Sequence, residues 1–495
     1  MIELTFKTLT PLHIGNGQEL TAMDYVLDNE GNYYRITQQQ LYQFISQSGG
    51  VELAKKFSAY IQKSEMKQGA DDKIKWVDNF RRRNTIIAFC QKHKIEEKFW
   101  DYLKLQPGVY KGKVVSERDG GEHLNIREAL RDGTGRLMVP GSTLKGALRT
   151  ALLYQYLEEQ KPTLDILKKV TTEHTWGRKQ GRRKRAKEVA NPLEQLVFYG
   201  SYNKQAYKSN RVNTYNDDLQ LDLMKFLYCS DGQIEQGVSP ELLNTNLYLI
   251  FDDAAKNTQE AAKQGQVNYM EAIPAGVAIK MRLNFDIEVL YNFKEMLNRK
   301  RGDGFKARRG RDKRHNWVGL RKKVKDLFDI DINDLSRDNL DEYRRKVLDR
   351  ILSALQQFSL AQVKAQEKWM HDFEAVDQHS EWSGIVRSGW KPIESKKEQT
   401  LINMAFGTGF KGVTAFLHFL SDKQLRQRYA EFLMNFKIGK FRDHRGYYKA
   451  DLSRFPRSRT LSSSEEKAEP LGWLVVDQTK MIKAEYLEEV KVNQD

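Results

Sequence analysis

Residues 137–158 read LMVPGSTLKGALRTALLYQYLE, and the change of pattern inside them decides the fold class. Pro140 and Gly141 end an extended stretch, since proline cannot donate to a strand ladder and glycine relaxes the backbone. Ser142 or Thr143 can then cap the first free amides of a helix. Leu144, Leu148, Ala151 and Leu152 form an apolar stripe, while Lys145 and Arg149, four residues apart, share another face. A strand that feeds an amphipathic helix predicts sheet and helix built into one unit.

Outward toward the N-terminus, IELTFKTL (2–9) alternates like a strand, PLHIGNGQ (11–18) breaks it, and MDYVLD and NYYRI flank Asn29, Glu30 and Gly31 as a hairpin. Between about 37 and 105 the pattern is helical, with Leu41, Phe44, Ile45, Trp76, Phe80, Ile87 and Phe99 among lysines and glutamines. Toward the C-terminus, LMKFLYCSD (223–231), LYLIFDD (247–253) and PAGVAIKMRLNFDIEVL (274–290) read as successive strands, and 291–380 is helical again. The last segment holds MAFGTGFKGVT (404–414), a helix over TAFLHFLSDKQLRQRYAEFLM and a final strand, GWLVVD. Two α+β halves are the economical architecture.

The chain has 495 residues, 82 lysines and arginines against 66 aspartates and glutamates, and a formal charge of +16. Such a balance favours a polyanionic partner. The charge is concentrated in RKQGRRKRAK (178–187), with seven basic residues in ten, and in RKRGDGFKARRGRDKR (299–314), with nine; both read as basic loops. Cys90 and Cys229 stand far apart with no CxxC pair, which argues against a zinc knuckle or a disulfide framework. The first residues lack the pattern of a signal peptide and no apolar run reaches the length of a membrane span, so a cytoplasmic location is expected.

No GxxxxGK[ST], HExxH or GxSxG motif is present, and the closest histidines, His371 and His379, do not suit a metal site. HIGNGQ (13–18) and FGTGFKGVT (406–414) place Gly15, Gly17, Gly407 and Gly409 where backbone amides can approach a phosphate, with Lys411 supplying charge. The same glycines serve equally to permit tight turns. PGSTLKGALR reads either as an anion site at a helix start or as a capped amphipathic helix with two solvated cations. FKIGKFRDHRGYYKADLSRFPRSR (436–459) interleaves eight basic residues with five aromatics, a mixture suited to phosphate contact and base stacking. Asp217, Asp218, Asp222 and Asp231, or Asp252 with Asp253, are the carboxylates that could converge on a metal.

HIGNG, VPGSTLKGALRTAL, PAGVAIKMRLNFDI and FGTGFKGVT occur in the order found in the RAMP superfamily of CRISPR proteins, which this chain resembles. Its length, FKIGKFRDHRGYY and the closing LGWLVV resemble the members that cap the 3′ end of the guide RNA in type III-A (Csm) effector complexes. The resemblance implies an α+β fold of two ferredoxin-like (RRM-like) domains with helical insertions and basic loops. The first would span 1–270, with a helical insertion at about 37–135 and a basic loop at about 160–215. The second would span 271–495, with a helical insertion at about 291–385 and the Gly-rich loop at 404–414. It further implies a non-catalytic, cofactor-free subunit that binds crRNA and target RNA, adjoins the Csm backbone and small subunits, and supports crRNA 3′ maturation with a recruited nuclease. By motif match Ser142, Thr143, Lys145, Gly146 and Arg149 would lie along the guide backbone, with His13, Gly15, Gly407, Gly409 and Lys411 as neighbours. Asp24 falls where the repeated backbone subunit of the same complexes carries its RNA-cutting aspartate, which keeps a metal-dependent ribonuclease as the alternative.

Overall fold

The computed structural model describes residues 1–21, 23–28, 30, 32–65, 67–68, 74–75, 85–105, 110–114, 125–160, 197–198, 222–253, 258–302, 313–378, 380–409, 412, 414, 416–420, 422–435, 456–464 and 466–481. The strands are β1 (Ile2–Thr8), β2 (Gly15–Leu20), β3 (Tyr25–Leu27), β4 (Asn32–Arg35), β5 (Lys67–Gln68), β6 (Ile74–Lys75), β7 (Tyr110–Val114), β8 (Ile126–Ala129), β9 (Leu227–Cys229), β10 (Gln233–Ile234), β11 (Glu241–Asp253), β12 (Thr258–Ala272), β13 (Ala278–Phe285), β14 (Leu401–Asn403), β15 (Ser458–Ser463), β16 (Ala468–Pro470) and β17 (Trp473–Met481). The helices are α1 (Gln38–Glu65, broken at Gly49 and Gly50), α2 (Thr85–Lys92), α3 (Glu96–Leu105), α4 (Gly141–Gln160), α5 (Ile287–Gly302), α6 (Lys313–Phe328), α7 (Leu340–Glu374), α8 (Ser380–Glu394), α9 (Phe416–Leu420) and α10 (Lys423–Asn435).

A first sheet runs β10-β13-β1-β17-β14, with β9 also on β13, and its pairs are antiparallel. Alternation sets its inner face: Ile2, Leu4 and Phe6 stand opposite Leu283, Met281 and Ile279, and all six are buried. The stripe read from the sequence, Leu144, Leu148, Ala151 and Leu152, packs on that face together with Val347, Ile351, Leu355 and Phe358 of α7. A second sheet runs β2-β8-β12-β11-β7-β4-β3, with β15 on β11 and β16 on β15. Its β8–β12 and β7–β11 pairs are parallel. The helical insertion expected at about 37–135 forms α1 to α3, whose Phe44, Phe57, Phe89 and Phe99 share a core with Val26, Tyr34 and Ile36, while its later part supplies β7 and β8 to the second sheet.

The mixed helix and sheet content agrees with the α+β reading, but the division at residue 270 does not separate two sheets. It falls inside β12, and β1 from the N-terminus pairs on one side with β13 and on the other with β17 near the C-terminus. Among the described residues, the strands after Phe285 all join one of these two sheets. The expected second ferredoxin-like domain therefore has no sheet of its own there, because β14 and β17 extend the first sheet while β15 extends the second. Two local readings are also corrected, and one strand was missed. Ile287–Leu290 opens α5 rather than continuing a strand. The Gly-rich break read at 11–18 instead contains the start of a bulged strand, Gly15–Leu20, on β8. β12 is polar, TQEAAKQGQVNYMEA, and lacks an apolar alternation; it is a strand because β11 offers it a ladder from Glu241↔Ala272 to Asp253↔Thr258. Among the described residues no helix is long and apolar enough to cross a membrane.

Candidate nucleic-acid interface

The N-terminus of α4 is pressed against the β9 edge of the first sheet. A Cβ on Gly141 would lie 2.1 Å from the Cys229 carbonyl oxygen, so only glycine permits this approach. The Gly141 N–H donates to Asp231 Oδ1 at 2.8 Å. The carboxylate that meets the first amide thus comes from across the sheet edge, and Ser142 and Thr143 sit inside the first turn rather than before it. Ser142 and Gly146 are exposed one turn apart, and Thr143, Lys145 and Arg149 are half-buried. A Cβ on Gly146 would meet nothing within 4 Å. Internal packing therefore does not require that glycine, although it costs the helix about 1 kcal/mol relative to alanine. Gly146→Ala is expected to stabilise the chain by ~0.5–1 kcal/mol. If a phosphate backbone rests against this face, the same change weakens RNA binding by roughly fivefold, equivalent to about 1 kcal/mol of lost contact. Urea unfolding and a filter-binding titration read the two effects separately.

Arg149 does not extend freely into solvent. Its Nη1 donates to Asp222 Oδ2 at 3.0 Å and Oδ1 at 3.2 Å, and its guanidinium stacks 4.2 Å from the Phe198 ring centroid. Asp222 also accepts the Met224 N–H at 3.0 Å, capping the short 3-10 turn at Leu223–Phe226. The arginine of PGSTLKGALR is thereby held in one orientation at the end of α4's exposed face. Behind it, Lys323 of α6 is 6% exposed. Burial, its largest cause, brings its ammonium down to about 7, with Lys322 acting in the same direction and Asp326 and Asp222 opposing. With the folded value below the ordinary 10.5, the unfolded chain binds the extra proton between about pH 7 and 10.5. Stability should therefore rise with pH through that window and be insensitive to this group below it. Lys323→Met is expected to flatten that rise and add roughly 1–2 kcal/mol at pH 7, measured by urea unfolding across pH 6.5–9.5.

The two Gly-rich segments meet. The Phe406 N–H donates to the His13 carbonyl at 3.2 Å, and Gly472 N–H to Pro11 O at 2.9 Å. The Phe406 ring stands edge-on to His13, 5.7 Å between centroids, with the Arg127 guanidinium 5.4 Å from its centre. A Cβ on Gly15 would lie 3.0 Å from His13 Nε2 and one on Gly407 2.8 Å from Leu471 Cβ, whereas Gly17 and Gly409, both at positive φ, face open space. Gly15 and Gly407 thus answer to packing, whereas Gly17, in the bulge of β2, and Gly409 are open positions. His13 is buried and donates Nδ1–H to the Glu271 carbonyl at 2.6 Å. Burial, foremost, lowers its pKa, so the neutral ring is favoured. His13 is a structural pin between the segments.

Sequence reasoning missed the polar network beneath this junction. Glu271 Oε1 accepts from Tyr33 Oη at 2.6 Å and from Arg131 Nη2 at 2.8 Å, and Oε2 accepts the Ala129 N–H at 2.9 Å. Glu128 binds Asn16 Nδ2 at 2.8 Å and pairs with Arg35. In sequence these are ordinary charged residues of strands; alternation in REALR (127–131) was the available signal.

Asp24 closes its own turn: Oδ2 accepts from Thr21 N–H at 2.8 Å and Thr21 Oγ1 at 2.7 Å, an arrangement common for aspartate beside a strand. Asp231 is engaged at the start of α4 by the Gly141 N–H and Asp222 two turns on by Arg149, and among the described residues no group of three His, Cys, Asp or Glu side chains could hold a metal. Lys411, Asp217, Asp218, the loop 178–187, residues 303–312 of the second basic loop and 436–455 of the basic-aromatic stretch lie outside the described residues, as do the side chains of Asp252 and Asp253.

A family model of the RAMP superfamily matches residues 5–311. The "CRISPR system Cms protein Csm5" of Streptococcus thermophilus is 27% identical over 152 residues, 30% of this chain and 37% of that protein. Its namesake in Enterococcus italicus is 26% identical over 165 residues, 30% of this chain and 42% of that protein. The chain thus aligns with well under two thirds of the length of these relatives. Among solved structures, a chain in the cryo-EM structure of a Csm-crRNA-target RNA ternary complex of a type III-A CRISPR-Cas system superposes with a TM-score of 0.54 at 19% identity, covering 96% of this chain and all of that one. The crystal structure of T. onnurineus Csm5 gives 0.51 at 20% identity, covering 95% and 100%. These two likenesses concern the fold.

Proposed function

Since the chain belongs to the RAMP superfamily, we propose that it is a non-catalytic guide-binding subunit of a type III-A CRISPR (Csm) complex. In this reading one copy caps the 3′ end of the crRNA in the cytoplasm and supports its 3′ maturation. It adjoins the backbone subunit and the small subunit, meets target RNA, and works with a recruited nuclease. The observation that carries the reading is α4: Gly141 seats its start on the sheet edge, and Ser142 and Gly146 leave an open strip beside Lys145 and the anchored Arg149. A strip that admits a backbone closely, with cations alongside, suits a phosphodiester chain of any sequence. The matches to Csm5 proteins and the fold shared with a chain of a Csm-crRNA-target RNA complex support the same assignment. The first sheet fits one ferredoxin-like unit, in which β1, β9 with β10, β13 and β17 take the order 4-1-3-2 and α4 and α7 cover one face.

The test is to purify the complex from cells carrying the locus, count copies of this subunit and sequence the bound RNA ends with and without it. One copy and altered 3′ ends on its loss uphold the cap; many copies, or unchanged ends, overturn it. In the purified chain, Lys145→Ala with Arg149→Ala should weaken RNA binding equally across sequences. Contacts to about six phosphates would give a log-log salt slope near −4.

A further inference from the structure

The first sheet has a second face. Opposite residues of β1 and β13 share a side, and the pairs Glu3↔Arg282, Thr5↔Lys280 and Lys7↔Ala278 alternate with the buried pairs that meet α4 and α7. They therefore point away from the helices. Asn284 continues the same row and stands opposite Tyr228 on β9, while Gln233 of β10 stands opposite Lys280. Lys7, Lys280, Arg282 and Gln233 are exposed, and Glu3, the carboxylate of these paired rows, is neutralised by Arg282 at 3.4 Å. Tyr228 is 58% exposed. An aromatic ring so far out of the core contributes little to folding, and here it lies on the same side of the sheet as Arg282, Lys280 and Lys7.

We infer that this outer face, with Tyr228 at its edge, is a binding surface for unpaired RNA, in which the Tyr228 ring stacks on a base and Lys280, Arg282 and Lys7 meet the phosphates. Cations interleaved with an exposed aromatic are what single-stranded nucleic acid requires, because an unpaired base offers a free π-face and a duplex does not. Position links the face to α4. Tyr228 precedes Cys229, whose carbonyl lies close against Gly141, so one strand of RNA leaving the start of α4 need only round the β9 edge to reach the ring. The inference rests on the RNA-binding reading of α4 and extends it to the other side of the sheet.

The test uses the full chain and a 5′-fluorescein uridine 15-mer, with a 15-base-pair duplex RNA as competitor. Tyr228→Ala is expected to weaken binding five- to tenfold, Tyr228→Trp to restore it, and ultraviolet irradiation to crosslink uridine to the peptide containing Tyr228. Lys280→Ala with Arg282→Ala should reduce the log-log salt slope by about 1.4, two phosphate contacts at roughly 0.7 each. Unchanged affinity and no crosslink at Tyr228, while Lys145→Ala with Arg149→Ala still lowers binding, overturns this inference and leaves the α4 reading intact. Loss of a co-purifying protein from Tyr228→Ala at unchanged RNA affinity overturns it in favour of a protein contact. Absence of RNA binding by the unaltered chain overturns both readings.

Discussion

Glu271→Ala is expected to destabilise the chain by about 3–5 kcal/mol, the range for removing one partner of a buried ion pair. The carboxylate is fully buried and holds Tyr33, Arg131 and the Ala129 amide, and the Arg131 side chain is itself only 8% exposed. Without Glu271 the guanidinium loses this counter-charge in a place water scarcely reaches, and the Tyr33 hydroxyl and Ala129 N–H lose their acceptor. Glu271→Gln keeps the shape but not the charge and should cost less. The bond from His13 Nδ1 goes to the main-chain carbonyl, so the junction of the Gly-rich segments retains that pin in either variant. Urea denaturation followed by tryptophan fluorescence measures the loss. A change within 1 kcal/mol would mean that water already reaches this network. Removing both charges, Glu271→Leu with Arg131→Met, should recover part of the deficit, since no unpaired ion is then left behind.

Gly141→Ala carries the second large effect. Its methyl group would be placed 2.1 Å from the Cys229 carbonyl oxygen and 2.8 Å from that of Ser230, both main-chain atoms within or beside a paired strand. Neither can turn aside like a flexible side chain, so α4 must withdraw from the edge and stretch the Gly141 to Asp231 hydrogen bond. Overpacking of this kind costs about 2–3 kcal/mol. Because Lys145, Gly146 and Arg149 ride on the same helix, RNA affinity should fall by at least roughly tenfold, about 1.4 kcal/mol. The contrast with Gly146→Ala is diagnostic: one alanine destabilises the fold, the other stabilises it, and both weaken RNA binding. If Gly141→Ala lowers stability but leaves RNA affinity unchanged, the face of α4 is not the binding strip.

How much of this was legible in the chain depends on how local the cause was. Pro140-Gly141 and the spacing of Leu144, Leu148, Ala151 and Leu152 located α4 to within a few residues, because a helix start and an apolar stripe are written in neighbouring residues. The same holds for β1 and for the hairpin of β3 and β4. The motifs HIGNG and FGTG stood out by their glycines, although the first runs into the bulged strand β2 rather than a loop. Their meeting was not visible, since the bond from Phe406 to His13 joins positions 393 residues apart.

By itself, then, the sequence determined the α+β composition, the basic charge that favours a polyanion and the helix bearing Lys145 and Arg149, each from side-chain type and short-range spacing; the likeness to the RAMP superfamily came from the order of its motifs along the chain. Tertiary structure alone decided that β1, β13 and β17 share one sheet, that a polar segment becomes β12, that Asp231 and Asp222 brace the two ends of the α4 strip, and that Glu271 holds its network. Strand partners and buried counter-charges are chosen by what the rest of the chain brings alongside, and no local pattern of residues records that choice.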